Sequence, residues 1–428
     1  MGDEIRWIFT GDIGKKESFW GKPLDLMGEI AVKNTRKFIK SFPQYEVTPL
    51  RSLGNLAAYT GVSGIYVKDE SYRFGLNSFK VLGGGYAIGR YLADKMEIDP
   101  EDLTFEKLKS GDVRDKLGEI TFTSATDGNH GRGVAWSARQ LGHRAVINMP
   151  EGSSLIRLKH ITDTGAEGNI TDVNYDETVR ITAENARKHG WIVIQDTAWE
   201  GYEDIPNWVM QGYTVMAKEA LEQLNQLGVE RPTHIFIQAG VGSLAAAVIG
   251  YFASVFGNKQ PIFVVVEPDN ADCFYQSALA GDGIPRNVTG DLTTIMAGLA
   301  CGEPNPFAWK ILWNLVDMFI SCPDYCAALG MRILGNPLVG DAQIISGESG
   351  AVTAGILTEL FRNNDMKEAR EQLKLDRDSK ILLFSTEGDT DPEMYRKIVW
   401  DGAYAMPKMC QQPRPRYTLN HLAADPAG

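Results

Sequence analysis

"THIFIQAGVGSLAAAVIGYFA", Thr233 to Ala253, reads as a buried strand, a tight turn "GVGS" and a helix opened by small residues. Backbone N–H groups at such a helix start are unpaired and lie at the positive end of the helix dipole, so Gly240 to Ser243 predict a phosphate cradle. A dinucleotide site competes with this reading. Gly240 and Gly242 give G-x-G, and Glu267 ends the following strand, where an acidic residue would hold a ribose. Against it, position 245 is Ala, and the loop follows four earlier strand candidates, whereas a dinucleotide fold places this loop on its first strand. A purely structural tight turn is the third possibility.

Outward from this stretch the chain alternates. Short β-branched runs ("GIYVKD", "EITFTS", "RAVINMP", "GWIVIQD", "PIFVVVEP" and "KILLFST") are separated by amphipathic segments such as "HGRGVAWSARQLG", "YDETVRITAENARKHG" and "GYTVMAKEALEQLNQLG". Strand following helix in this order predicts an α/β fold of mostly parallel, twisted sheets flanked by helices. Ligands in such folds bind beyond the carboxyl ends of the strands, so the loops there are where function is sought. A chain of 428 residues is too long for one ordinary core and predicts two domains. The tail "QQPRPRYTLNHLAADPAG" is expected to drape or fray.

With 43% hydrophobic and 23% charged residues, the composition is that of a soluble globular protein. A net charge of −12 argues against nucleic acid or an anionic membrane as partner. No apolar run approaches the roughly 18 residues of a membrane span, and the start lacks a signal peptide's apolar core, so a cytoplasmic location is expected. Five scattered cysteines, with Cys322 and Cys326 spaced like a helical turn, give no metal-ligand pattern. They are expected as buried thiols. The segment "CGEPNPFAWKILWNLVDMF" carries Trp and Phe at helical spacing and reads as core or interface.

"GLNSFKVLGGG", Gly75 to Gly85, sets one lysine among apolar neighbours before three glycines. A nucleotide P-loop needs glycine before the lysine and a hydroxyl after it, and Lys80 has the reverse order. A solvated lysine in a helix's first turn remains possible. A Schiff-base lysine wants an apolar setting, because desolvation favours the neutral, nucleophilic amine. It also wants a cofactor phosphate anchored elsewhere, which the Gly240 loop would supply. The glycines after Lys80 are expected to let the helix approach the sheet or the cofactor closely.

"NSFK" at Asn77, "TDGNHGRGVA" at Thr126, "AGVGSLAAA" at Ala239 and "STEGDTDPE" at Ser385 stand in the order and rough spacing of pyridoxal-phosphate enzymes of the tryptophan synthase β-subunit and threonine dehydratase fold, known as fold type II. Nearly the whole chain, from about Thr48, resembles the diaminopropionate ammonia-lyases within that group. The resemblance implies pyridoxal 5'-phosphate as cofactor and Lys80 as its covalent anchor. It implies that Asn129 lies beside the ring, that Gly240, Val241, Gly242, Ser243 and Leu244 hold the phosphate, and that Ser385, with Thr386 as alternate, faces the pyridine nitrogen. A neutral hydroxyl there weakens the ring as an electron sink and favours β-elimination over transamination. "GESGAVT", Gly347 to Thr353, resembles a segment lining the other side of the ring and makes Glu348 a candidate.

Asp127 before Gly-Asn-His, otherwise a helix cap, is implied to take the α-proton of a D substrate, and Asp196, otherwise a turn residue, that of the L isomer. Ser124 and Thr126 join them as implied substrate contacts. The resemblance further implies a large cofactor-anchoring domain of residues 1–84 and 198–428, a small domain of 85–197 carrying the substrate loop, a small amino-acid substrate and a homodimer. The implied reaction is elimination from 2,3-diaminopropionate to pyruvate and two ammonia. A serine or threonine dehydratase, a nicotinamide-dependent dehydrogenase and a non-catalytic pyridoxal-phosphate-binding protein are the competing readings.

Overall fold

The fold was obtained as a computed structural model, which describes residues 4–11, 22–126, 128–199 and 201–407. Asp127, Cys410 and the Pro- and Ala-rich tail lie outside the described residues.

Eleven strands form two sheets. In chain order they are β1 (Arg6–Phe9), β2 (Leu50–Ser52), β3 (Gly64–Asp69), β4 (Thr121–Ala125), β5 (Arg144–Met149), β6 (Glu167–Ile170), β7 (Ile192–Val193), β8 (His234–Gln238), β9 (Ile262–Pro268), β10 (Met318–Cys322) and β11 (Lys380–Ser385). The larger sheet runs β1-β10-β9-β8-β11-β3-β2 and the smaller β6-β5-β4-β7. Every pairing is parallel except at the two edges of the larger sheet, where β1 pairs antiparallel with β10 and β2 with β3. The α/β expectation holds. All four strands of the smaller sheet fall between Thr121 and Val193, while the expected division at 84/85 falls inside the helix Val81–Met96.

The inner strands β8 and β9 are buried along almost their whole length, which is why they read as continuous apolar runs. β7 is two residues long rather than the full "GWIVIQD" run, because the chain leaves the sheet after Val193. β10 occupies the end of the Trp- and Phe-rich segment, whose helix Pro306–Leu315 buries Trp309 in the core. Cys322 therefore ends a strand and Cys326 lies in the next helix, so the two do not share a helical turn as their spacing suggested. Both are buried, as are Cys273 and Cys301.

The glycines after Lys80 serve helix packing rather than closeness to the sheet. A Cβ at Gly83 would lie 2.5 Å from the Tyr213 ring, and one at Gly84 would lie 3.0 Å from the Val134 side chain. They let Val81–Met96 lie against the helices Asp204–Gln226 and Asn129–Gln140.

A charge-balanced quartet lies under the turn that leads to Lys80. Arg73, fully buried, donates to both oxygens of Glu70 (2.9 and 2.8 Å) and of Glu219 (3.1 and 2.8 Å). Lys68 Nζ pairs with Glu219 at 2.9 Å and donates to the Thr48 carbonyl at 2.7 Å. Burial would raise the Glu219 carboxyl, but Arg73 and Lys68 outweigh it and hold it down to about 2.

Candidate active site

At the carboxyl end of β8 the chain turns through Ala239 to Gly242 into the helix Ser243–Phe256. Gly242 has φ +92°, and a Cβ on it would sit 2.4 Å from the Phe274 ring; a Cβ on Gly240 would sit 2.9 Å from the Gly298 carbonyl oxygen. Only glycine fits either position. The amides of residues 240 to 244 meet no backbone or side-chain acceptor among the described residues, and all five residues line one cavity of about 530 Å³. Asn305 braces the loop by donating its backbone N–H to the Val241 carbonyl at 2.9 Å. The Ser243 hydroxyl donates to the Asp196 carbonyl at 2.6 Å. Gly242→Ala is expected to destabilise the protein by about 1–3 kcal/mol through backbone strain and the clash with Phe274, read as a lowered urea midpoint.

The dinucleotide alternative loses its acidic partner here. Glu267 is fully buried, and its two oxygens accept the amides of Phe274 (2.8 Å) and Tyr275 (2.7 Å) at the next helix start. Burial pushes its carboxyl well up. It does not line the cavity.

Lys80 enters the same cavity from β3. Asn77, at φ +57°, turns the chain, and the Phe79 amide donates to the Thr386 carbonyl at 3.0 Å, tying the lysine turn to the end of β11. Lys80 Nζ meets Asp196 Oδ2 at 2.6 Å. The lysine is thus set against a carboxylate as well as its apolar neighbours. Burial would raise the Asp196 carboxyl, but the Lys80 ammonium and His130 outweigh it and hold it down to about 2. His130 Nε2 lies 2.8 Å from the Ile194 carbonyl, tying the helix Asn129–Gln140 to the strand exit that carries Asp196.

Thr126 and Asn129 line the cavity. The Thr126 hydroxyl accepts the amides of Gly128 (2.9 Å) and Gly131 (3.1 Å), shaping the turn on either side of Asn129. Ser124 is behind the wall, its hydroxyl donating to Gln195 at 3.0 Å. Ser385 is also behind it, donating to the Ser346 hydroxyl at 2.8 Å, while Thr386 lines the cavity and accepts from Gln238 Nε2 at 2.8 Å. Glu348 lines the cavity too. Burial first, then the Glu387 charge, push its carboxyl up to about 7.

The cavity wall also includes Arg157, Tyr175 and Glu387, which the motif reading did not single out. Glu387 was accessible to it: it stands two residues beyond Ser385 inside "STEGDTDPE", past a strand's carboxyl end.

The pyridoxal-phosphate dependent enzyme family matches this chain over residues 42–381. The diaminopropionate ammonia-lyase of Escherichia coli (strain K12) is 51% identical over 396 residues, covering 92% of this chain and 98% of that protein. The chain belongs to the diaminopropionate ammonia-lyase family of pyridoxal-phosphate dependent enzymes. The crystal structure of the E. coli diaminopropionate ammonia-lyase in complex with D-serine matches with TM-score 0.87 and 48% identity, covering 94% of this chain and 99% of that one. The same enzyme in complex with an aminoacrylate–pyridoxal-phosphate azomethine reaction intermediate matches with TM-score 0.84 and 46% identity, over 95% of this chain and 99% of that one.

The cavity fits the cofactor that defines this diaminopropionate ammonia-lyase family. A dianionic phosphate suits free amides at a helix start, which two glycines keep open. One lysine stands in the same cavity. The buried oxygens Gln238 Oε1 and Glu387 Oε1, without partners among the described residues, add polar groups to its wall.

Proposed function

We propose that this chain catalyses the pyridoxal-phosphate-dependent α,β-elimination of 2,3-diaminopropionate, in both D and L forms, to pyruvate and two ammonia. One observation carries the proposal. In a chain that spans almost the full length of an ammonia-lyase acting, by its name, on diaminopropionate, the lysine, the glycine cradle and Asp196 line a single cavity. Bound pyridoxal phosphate supplies an electrophilic carbonyl and an electron-withdrawing ring. Lys80 holds it covalently through Nζ, and the amides of Gly240, Val241, Gly242, Ser243 and Leu244 hold its phosphate. The Ser243 hydroxyl already donates to Asp196, so the amides do this work. Asn129 flanks the ring. At the pyridine nitrogen, a position on the wall favours Thr386 over Ser385.

Where the Lys80 amine is neutral, Asp196 loses the ammonium that holds its proton affinity down and becomes able to accept a proton from the substrate's Cα. Asp196 acts on the L isomer and Asp127 on the D isomer, with Thr126, and Ser124 from behind the wall, shaping the substrate side. Anionic groups around the cavity suit the β-ammonium of a diamino acid and keep the departing nitrogen protonated. A serine or threonine dehydratase has no such need. The same reading takes residues 1–84 and 198–428 as the cofactor-holding domain and 85–197 as the substrate-loop domain, and takes the molecule as a cytoplasmic homodimer. Among the described residues no helix is long and apolar enough to cross a membrane.

Pyruvate release from each enantiomer tests the assignment. Asp196→Asn is expected to slow the L isomer at least roughly tenfold and spare the D isomer, and Asp127→Asn to do the reverse. Equal loss on both isomers would overturn the division of labour. L-Serine turning over as fast as diaminopropionate would favour the dehydratase.

A further inference from the structure

Of the carboxyl residues outside the proposed proton-transfer set that line the cavity, two are buried: Glu348, first residue of the helix Glu348–Arg362, and Glu387, two residues beyond β11. They are 4% and 3% exposed. Glu387 is firmly held. Its Oε2 accepts Asn129 Nδ2 at 2.5 Å and the Thr390 hydroxyl at 3.3 Å, and its backbone carbonyl accepts the Gly347 amide at 3.0 Å. A Cβ on Gly347 would lie 2.9 Å from Glu387 Cγ and 3.1 Å from Cδ, so the Glu387 side chain packs on the first turn of the Glu348 helix. The dipole at that helix start favours an anion there.

Burial and then Glu387 raise the Glu348 carboxyl to about 7, Arg157 partly offsets them, and Asp391 adds to the rise; Tyr404 also feels the Glu348 charge. Glu387 Oε2 accepts from Asn129 Nδ2, which sets the Asn129 amide with its nitrogen toward Glu387. Its second N–H and its Oδ1 are left for the cavity.

We propose that Glu387 is a positioning residue that locks the Asn129 amide in one orientation at the cofactor ring, with Glu348 as its companion acid on the cavity wall. This rests on the reading of Asn129 as a neighbour of the ring. It adds two residues to the machinery, neither through direct contact with the substrate.

The test is reconstitution of cofactor-free protein with pyridoxal phosphate, following affinity and the visible absorbance band across pH. Asn129→Ala and Glu387→Ala are each expected to weaken binding about tenfold, the effect of losing a hydrogen bond to a charged group. Glu387→Gln keeps an acceptor oxygen and is expected to stay within about twofold. Its band should have a lower pH midpoint, because Glu348 loses its anionic neighbour, and Glu348→Gln should lack the neutral-range midpoint altogether. Weak binding by Asn129→Ala with wild-type binding and spectrum in Glu387→Ala would overturn the positioning role alone. Wild-type binding by Asn129→Ala would instead overturn its place at the ring, and this proposal with it. Should Glu387→Ala not fold, an unmoved midpoint in Glu387→Gln overturns the pairing of the acids.

Discussion

Lys80→Ala is expected to remove the visible absorbance band of the cofactor-loaded protein and to lower pyruvate release by roughly 10³-fold or more, the scale on which removing a covalent catalytic group acts. Lys80 is the one lysine among the described residues lining the cavity, so no neighbouring amine can stand in for it. The loss should be in kcat rather than in folding, because the side chain is partly exposed and its partner Asp196 can protonate once the ammonium is gone. That gives a second readout. The Asp196 carboxyl, held down to about 2 by burial being outweighed by Lys80 and His130, should titrate at higher pH in the variant. A band persisting in Lys80→Ala would remove the lysine from its proposed role. A band absent even from the wild-type protein after cofactor addition would return the nicotinamide reading to contention.

Arg73→Met is expected to cost about 3–5 kcal/mol, measured as a drop in urea stability, because it leaves Glu70 and Glu219 buried with only Lys68 to balance them. The pH dependence has a definite sign. Glu219 is depressed to about 2 in the folded protein, against about 4.3 for a solvated glutamate, so its contribution is fully present above about pH 4.3 and is lost as pH falls toward 2. With Arg73 gone, much of that depression goes too, and the difference between variant and wild type should narrow in acid. A variant with the wild-type urea midpoint at pH 7 would show that the quartet is not the brace described. Arg73 sits seven residues before Lys80, so local loosening there should also weaken cofactor retention.

The larger part of the fold was legible because its inner strands are buried on both faces. β3, β8, β9 and β11 stand out as β-branched runs bounded by turn residues. The edges were not. β1 and β2 are short and half-exposed, and β6 reads "EGNI", with no apolar pattern to find. Burial on both faces also hid which hydroxyl at the end of β11 meets the cavity, since no alternation separates Ser385 from Thr386. The ion pair of Lys80 with Asp196 and the hydrogen bond of Asn129 with Glu387 span 116 and 258 residues, and no local pattern announces either. What local pattern did carry was chemistry at strand ends, which singled out Lys80 and the Gly240 loop; the family resemblance added Asn129, and all three line one cavity.

β11, the last strand among the described residues, pairs on one side with β3, which leads to Lys80, and on the other with β8, which leads to the Gly240 loop. During synthesis, then, the two halves of the proposed cofactor site cannot take their final spacing until residue 385 has left the ribosome and inserted between strands made far earlier. Such long-range closure is slow. A nascent chain stalled before Lys380 should carry both motifs and still fail to capture cofactor, so loading waits for β11.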